Sequence, residues 1–285
     1  MPGYRKILIA HDGSASGKNA LMQAIRLAGA ERSWIKILVV APAYEGDLDI
    51  TGVADIREAL RGPARKLVAE AKAIAGKEGA PTVATNLEEG EPYDRIVSVA
   101  GEENCDLIVV GRRGMGRIER ALMGSVTARV IGHTKKDVLV VPHDSKIGWK
   151  SLILAADGSP SSGVAAERAI AFAKTYGSSL TIVSVVDVTE EFFTEAPELV
   201  EKLIEKAKET VKAVAEKAAS AGVKTETFVK EGETYRHIVD LASAKKADII
   251  FMGSRGKTGI KKLLLGSVAE KVIGYAPCPV LVVKA

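Results

Sequence analysis

Short apolar runs alternate with longer amphipathic segments along the whole chain. In the first half these runs are rich in Ile, Val and Leu, which is typical of buried strands. They lie at 6–10, 35–41, 83–87, 106–110 and 138–141. The segment over about 54–75 is longer and is predicted to be a helix. Strands that alternate with helices predict an α/β fold, in which an open, twisted parallel sheet carries helices on both faces.

The second half repeats the same alternation. Its apolar runs lie at 152–156, 180–187, 225–230, 248–252 and 280–283. A helix is predicted over about 197–219, because Val200, Leu203 and Val211 fall on one face and Pro197 suits a first helical turn. The pattern therefore predicts two α/β units in series.

The two halves align with one another at a nearly constant separation. Gly111 matches Gly253 at 142 positions, and Asp12 matches Asp157 at 145. Over residues 111–126, eight of sixteen positions are identical in the second half, which chance does not explain. The halves are therefore interpreted as copies of one domain.

The copies predict two domains, at 1–144 and 149–285, joined by the polar linker 142–148. A helix is expected after the first strand of each copy, and serines are its candidate N-caps. These are Ser14 or Ser16 in the first copy and Ser161 or Ser162 in the second.

Composition narrows the class of protein. Apolar residues make up 47% and charged residues 27% of the 285 residues, an ordinary balance for a globular protein. The net charge of +4 includes no block of like charges, so neither a nucleic-acid nor a membrane surface is indicated. No apolar run has the length of a membrane span, and no signal segment is evident. Cys105 and Cys278 do not match between the copies, so free thiols and a cytoplasmic location are expected.

A glycine-rich loop follows the fourth apolar run of each copy. The first reads Gly111-Arg112-Arg113-Gly114, nine residues, then Gly124-Ser125, and the second reads Gly253-Ser254-Arg255-Gly256, nine residues, then Gly266-Ser267. Open α/β sheets bind ligands at this end of a strand. Glycines bring backbone N–H groups close to an anion, and a following helix attracts phosphate. Arg113 and Arg255 are spaced to add charge. Phosphate binding is therefore predicted, and glycines that only form turns are the alternative.

Other kinds of site find less support in the sequence. Neither loop is a Walker A motif or a dinucleotide fingerprint. The four histidines have no partners at metal-ligand spacing, and no catalytic triad or paired carboxylate recurs in both copies. His11 is either a ligand contact or a wall residue. Asp12 and Asp157 either contact a ligand or cap the following turn.

The pattern Gly-x2-Gly-x9-Gly-Ser, the Asp after the first strand and the Val-rich last strand together resemble the universal stress protein family, in its ATP-binding branch. The resemblance covers nearly the whole chain, once per copy, and it implies a tandem of two Rossmann-like domains of the adenine nucleotide α-hydrolase type. It also implies an adenine nucleotide, ATP or AMP, at the carboxyl ends of the strands. Mg²⁺ is expected to accompany a triphosphate, because it prefers phosphate oxygens.

The resemblance implies the same set of nucleotide-binding residues in each copy, with glycines and serines on the phosphates, Asp beside the adenosine, and apolar residues around the ligand. In the first copy these are Asp12, Ala41, Val110, Gly111, Arg113, Gly114, Gly124, Ser125 and Val126. In the second copy they are Asp157, Val185, Met252, Gly253, Arg255, Gly256, Gly266, Ser267 and Val268.

The copies differ around this set. The first has Met115-Gly116 where the second has Lys257-Thr258, and Ala41-Pro42 is matched with Val185-Val186. The second copy is closer to the family pattern, and we expect it to bind at least as tightly as the first.

The last strands, Val138–Val141 and Val280–Val283, are candidates for sheet edges, where unpaired backbone groups invite pairing. The resemblance implies pairing of such strands across a two-fold axis. The two copies are therefore expected to form an intramolecular pseudo-dimer, and a homodimer of two chains is a further prediction.

Three functions stay open at this stage. The leading one is a nucleotide-binding protein of stress response or regulation, in which the ligand changes a conformation or a contact with unknown regulatory partners. It is favoured because two phosphate loops occur without an evident catalytic base. The second is a weak ATP-hydrolysing or nucleotidyl-transferring enzyme, which rests on fold analogy. The third is an interaction module with empty pockets.

Overall fold

The chain forms two compact units, each an α/β domain. A computed structural model describes residues 3–43, 53–80, 82–114, 123–256 and 265–284. The first unit is formed mainly by Tyr4–Arg120 with Gly124–Asp144, and the second mainly by Ser145–Ala285. Among the described residues, no helix combines the length and apolarity that crossing a membrane requires.

Over its described residues, the first unit is a five-stranded parallel sheet of order β3-β2-β1-β4-β5 with four helices. Its elements are β1 (Lys6–Ala10), α1 (Ala15–Glu31), β2 (Trp34–Ala41), α2 (Val53–Lys77), β3 (Thr82–Glu89), α3 (Pro92–Glu102), β4 (Leu107–Gly111), α4 (Ser125–His133) and β5 (Asp137–Val141). Helix α1 contacts α2, and α3 contacts α4. This pairing is expected when right-handed crossovers put one pair of helices on each face of the sheet.

The second unit repeats this order as β10-β9-β6-β7-β8. Its elements are β6 (Ser151–Ala155), α5 (Pro160–Tyr176), β7 (Ser179–Val186), α6 (Glu190–Glu195), α7 (Pro197–Ser220), β8 (Thr225–Glu231), α8 (Thr234–Ala244), β9 (Ile249–Gly253), α9 (Ser267–Tyr275) and β10 (Val280–Val283). The short helix α6 was not predicted from the sequence.

The predicted α/β fold is confirmed, and the strand and helix boundaries agree to within one or two residues. Ser14 caps α1, as predicted, and accepts a hydrogen bond from the Gly17 N–H. The predicted caps of α5, Ser161 and Ser162, are wrong. Ser159 is the N-cap, because Pro160 occupies the first helical position and the Ser159 hydroxyl accepts from the Ser162 N–H.

Burial concentrates in the central strands. Strand β4 is buried along its whole length, whereas the edge strand β3 is only half-buried. A strand between two neighbours and under helices on both faces has no solvated side, so its sequence is continuously apolar. The carboxyl ends of these central strands carry the candidate site.

The two units differ at the opposite end of the sheet. In the first, the Tyr4 hydroxyl donates a buried hydrogen bond of 2.7 Å to the Asp137 carboxylate. In the second, Trp149 stacks on Tyr176 with ring centroids 4.5 Å apart. At the positions matched by the repeat, Trp149 stands for Tyr4 and Pro279 for Asp137. One unit therefore uses a polar pair where the other uses aromatic packing.

Candidate nucleotide site at the strand ends

An Asp follows the first strand of each unit and organises the turn into the next helix. In the first unit, Asp12 Oδ1 accepts hydrogen bonds from the Ser14 N–H (3.0 Å) and the Ser14 hydroxyl (2.6 Å). In the second, Asp157 Oδ1 accepts from the Ser159 N–H at 2.9 Å. One carboxylate oxygen therefore fixes the turn, and this is the capping role that the sequence offered as one of two alternatives for the Asp.

The other carboxylate oxygen faces the glycine loop. A Cβ atom added to Gly114 would lie 2.7 Å from Asp12 Oδ2, and one added to Gly256 would lie 2.9 Å from Asp157 Oδ2. Such contacts are too short for a carbon atom, so only glycine fits there without a shift. The two roles considered for the Asp are thus compatible, because each uses a different oxygen.

The glycine at the end of the fourth strand allows a close approach of backbones. A Cβ atom on Gly111 would lie 2.8 Å from the backbone carbon of Ser16, and one on Gly253 would lie 2.9 Å from that of Ser161. The amino end of α1 or α5 therefore packs directly on the strand end. This contact brings the Asp turn and the glycine loop together.

Serine hydroxyls connect the two segments, and this link was not predicted from the sequence. The Ser14 hydroxyl, whose shorter bond goes to Asp12, also lies 3.3 Å from the Arg113 carbonyl oxygen. In the second copy the matching Ser159 hydroxyl lies 3.5 Å from the Arg255 carbonyl oxygen, and Ser161 Oγ donates to the same carbonyl. The Asp-Gly-Ser triplet that both copies keep was the available signal. Its partner could not be read from the sequence, because the carbonyl lies about a hundred residues away.

The last part of the site is the amino end of a helix. Gly124 is the N-cap of α4 and Gly266 that of α9, and no side chain of the described residues caps either end. Helices α3 and α8 also lack side-chain caps. An uncapped end alone therefore does not indicate a ligand. What distinguishes α4 and α9 is the glycine loop beside them: the Gly124 N–H donates to the Arg112 carbonyl at 2.9 Å and the Gly266 N–H to the Ser254 carbonyl at 3.2 Å.

These contacts place most of the predicted phosphate-binding residues of each copy in one cluster. The loop residues Gly114 and Arg113 are exposed, and so is Ser125, the first residue of α4. In the second copy Arg255, Gly256 and Ser267 are likewise exposed. Free N–H groups at a helix start, flexible glycine backbone and an adjacent Arg form an environment that favours an anion.

The residues that were predicted to line the ligand with apolar side chains lie at the same strand ends or in the adjoining helix turns. Val110 and Met252 are buried near the ends of β4 and β9, and Val126 and Val268 are half-buried in the first turns of α4 and α9. Ala41 ends β2 and packs with Val39, Ala64, Leu67, Val68 and Leu87.

One predicted match between the copies is wrong. Ala41 pairs with Glu89 in the sheet, and Val186, not Val185, pairs with the matching Glu231. The Gly90 N–H donates to the Ala41 carbonyl, and the Gly232 N–H donates to that of Val186. Because successive strand residues point to opposite faces, Val185 faces away from the side that Ala41 occupies, and Val186 is its counterpart.

Part of the predicted difference between the loops lies outside the described residues. Met115-Gly116 and Lys257-Thr258 belong to the segments 115–122 and 257–264, which the structure does not describe.

His11 and the two cysteines are buried titratable side chains. Burial lowers the pKa of His11, and the backbone of Gly17 and the charges of Asp12 and Glu70 oppose this shift. Burial also raises the pKa of the Cys105 thiol, and it raises that of Cys278 to about 12. Both cysteines are free, as predicted, and at neutral pH both are unreactive thiols.

Comparisons with known proteins agree with this architecture. The family model described as "Universal stress protein family" matches residues 3–142 and again 148–284. A universal stress protein of Methanocaldococcus jannaschii is 44% identical over 142 residues, which cover 48% of this chain and 82% of that protein. One from Mycolicibacterium smegmatis is 28% identical and covers 98% of this chain and 96% of its own length.

A solved structure shows the same fold over the full length. The crystal structure of a universal stress protein from Archaeoglobus fulgidus superimposes with a TM-score of 0.75 at 23% identity, covering 98% of this chain and 96% of that one. Two tandem matches to the family model, in register with the internal repeat, account for nearly all of the sequence. The chain therefore belongs to the universal stress protein family.

Proposed function

We propose that each half binds an adenine nucleotide, ATP or AMP, and that the bound nucleotide acts as a regulatory signal in stress response. The phosphates would lie between the glycine loop and the start of α4 or α9, with Mg²⁺ accompanying a triphosphate. The two binding domains are proposed at 1–144 and 149–285.

The observation that carries this proposal is the recurrence of one cradle at two places in the chain. In both copies a helix start without a side-chain cap faces a loop whose glycine would clash with an Asp oxygen if it carried a Cβ atom. Turns alone do not require that close packing twice. Phosphate binding explains it, because an anion needs backbone N–H groups within hydrogen-bonding distance.

The same geometry supports a regulatory role. The Arg113 carbonyl accepts from Ser14, which caps α1, so a ligand that orders the loop also acts on the first turn of that helix. The Arg255 carbonyl and Ser159, which caps α5, form the matching link in the second half. A change in occupancy would therefore alter the surface next to the pocket, where a protein partner could detect it.

Titration of the full chain with ATP and with AMP tests the proposal. We expect about two equivalents of nucleotide per chain by calorimetry, one for each cradle. Gly114→Val should remove the first equivalent and Gly256→Val the second, because the added side chain meets the Asp carboxylate. Gly29→Ala is the matched control, since a Cβ atom there meets nothing within 4 Å.

Either of two results would contradict the proposal: no nucleotide bound by the unmodified chain, or binding that the double variant retains. Steady multi-turnover release of ADP or AMP that both Val variants abolish would instead indicate the enzymatic alternative. Pairing of the terminal strands into a pseudo-dimer, and of two chains into a homodimer, stays a prediction that sedimentation of the full chain can check.

A further inference from the structure

His11 is a buried imidazole at the edge of the first cradle. It follows β1 directly and precedes Asp12, and its side chain is 2% exposed. Its backbone N–H donates to the Leu38 carbonyl of β2 at 2.9 Å, which fixes the main chain at this point. The ring is therefore held in the interior by the sheet and by the helices that cover it.

Neither ring nitrogen of His11 has a hydrogen-bond partner among the described residues. The backbone of Gly17 favours the charged form of the ring but does not reach the geometry of a full hydrogen bond. Buried polar atoms are normally paired, because an unpaired one loses its hydration without compensation. An unpaired, titratable ring one residue from a phosphate-binding cluster therefore calls for an explanation.

The charged groups that act on the His11 ring come from the turn after β1, from α1 and from α2. Asp12 belongs to the turn after β1, Lys18 to α1 and Glu70 to α2, and Lys18 and Glu70 form an ion pair of 2.8 Å. Strand β2 contributes the uncharged Leu38 at this point. Because Lys18 and Glu70 largely neutralise one another, Asp12 and anything bound beside it dominate the field at the ring.

We propose that His11 takes up a proton when a phosphate ligand binds in the first cradle, so that nucleotide binding by this half strengthens as the pH falls. This inference rests on the proposed function of the same site. The ring and Asp12 are consecutive residues, and Asp12 Oδ2 lies against Gly114 of the loop. A phosphate held by that loop would thus add negative charge beside Asp12, whose own charge already favours the imidazolium.

The sign follows from linkage between proton and ligand. Burial disfavours the imidazolium in the free protein, and an anion nearby favours it. A ligand that raises the pKa of a group binds more tightly when that group is protonated, so affinity increases with acidity. The second half provides an internal control, because Ala156 stands where the first has His11.

Nuclear magnetic resonance of the full chain tests this directly. The chain has four histidines, so their imidazole signals can be resolved and followed from pH 5 to pH 8. With saturating AMP we expect the titration midpoint of His11 to move to higher pH, and to move further than those of the other three. Adenosine, which lacks the phosphate, should leave the midpoint of His11 almost unchanged.

Calorimetry supplies a second readout in the full chain carrying Gly256→Val, which leaves only the first cradle. When the pH is lowered from 7.5 to 5.5, the affinity for AMP should rise about fivefold more in this protein than in the same protein carrying His11→Ala. The protonation of AMP itself affects both proteins equally, so the difference between them reports on His11.

An unchanged His11 midpoint while AMP is bound would overturn the inference and leave the proposed function intact. If AMP does not bind the first cradle at any pH, the proposed function fails there, and the inference fails with it.

Discussion

The two halves build the same cradle from different surroundings. In both, an Asp oxygen, a glycine loop and an uncapped helix start meet at the carboxyl ends of the strands. Around this common frame, His11 is replaced by Ala156, Gly17 by Ser162 and Arg112 by Ser254. Duplication has therefore kept the positions where a Cβ atom would clash, and it has let the neighbouring side chains diverge.

A comparison of the two halves shows which part of the site is determined by backbone geometry. At Gly111 and Gly253 the backbone carbon of Ser16 or Ser161 would lie within 3 Å of an added Cβ atom, so moving a side chain alone cannot make room. At positions 17 and 162 a serine replaces glycine, and its hydroxyl accepts a hydrogen bond of 3.2 Å from the Asp157 N–H. The backbone frame of the cradle is thus a shared property, whereas charge and hydrogen bonding around it are specific to each half.

The largest expected effect comes from the shared backbone contact. Gly111→Ala and Gly253→Ala should each lower the free energy of unfolding by about 3 kcal/mol and abolish nucleotide binding in their own half, because the new methyl group overlaps backbone atoms. Urea denaturation and calorimetry measure the two effects. Gly29→Ala, at an open helical position, should instead stabilise the chain by about 0.5–1 kcal/mol. A Gly111→Ala variant as stable as the parent would refute the close approach.

The next effect is confined to the first half. Tyr4→Phe removes the buried hydrogen bond to Asp137 and should destabilise that half by about 2 kcal/mol, because the carboxylate keeps its burial and loses a donor. A double-mutant cycle with Asp137→Asn, followed by urea unfolding, isolates the pair. If the changes in unfolding free energy caused by the two substitutions are additive, the hydrogen bond contributes nothing to stability. The polar pair of the first half would then give it no stability that the second half lacks.

The ranking of the two pockets is a smaller difference. We expect the second half to bind ATP at least as tightly as the first, by up to about tenfold, which corresponds to about 1.4 kcal/mol. Calorimetry of the full chain carrying either Gly114→Val or Gly256→Val compares the pockets one at a time. Tighter binding by the first pocket would reverse the ranking that the sequence suggests.

Acid should destabilise the first half through His11. Its pKa is lowered in the folded state, so the folded protein binds fewer protons than the unfolded chain once the pH falls below about 6.5. The contribution of His11 is therefore fully present above that pH and is lost on acidification. We expect His11→Ala to lose less stability than the parent between pH 7.5 and pH 5.5 in urea unfolding. Parallel pH profiles for the two proteins would contradict this.

The smallest effect concerns two half-buried ion pairs of Glu103 that the second half does not share. Glu103 accepts from Lys6 at 2.6 Å and Lys36 at 3.0 Å, and these bonds lower its pKa to about 2. Lys245 stands at the matching position in the second half. Glu103→Gln should lower the melting temperature only slightly, and 1 M salt should remove the difference. The effect should also vanish as the pH falls from about 4.5 to 2, because the stabilisation depends on the ionised carboxylate.

Much of the fold could be predicted because its signals are local. Strand periodicity, the helix over 197–219 and the glycine loops all lie within short stretches of sequence. Helix α6 was missed because six residues carry too little periodicity, and Ser159 was missed because three nearby serines compete as caps. The match of Ala41 to Val185 failed by one residue, since register is set by pairing with β3 and β8 rather than by composition.

The sequence by itself determined the tandem repeat, the order of the elements and the location of both glycine loops, because each is a pattern that recurs along the chain. Only the tertiary structure decided that Asp12 uses one oxygen for its turn and presents the other to Gly114. It also decided that Ser14 reaches the Arg113 carbonyl and that His11 is buried without a hydrogen-bond partner among the described residues. The contacts of Asp12 with Gly114 and of Ser14 with Arg113 join residues about a hundred positions apart, and the burial of His11 depends on separate strands and helices. They meet only when parallel strands align their carboxyl ends, and no local pattern encodes that.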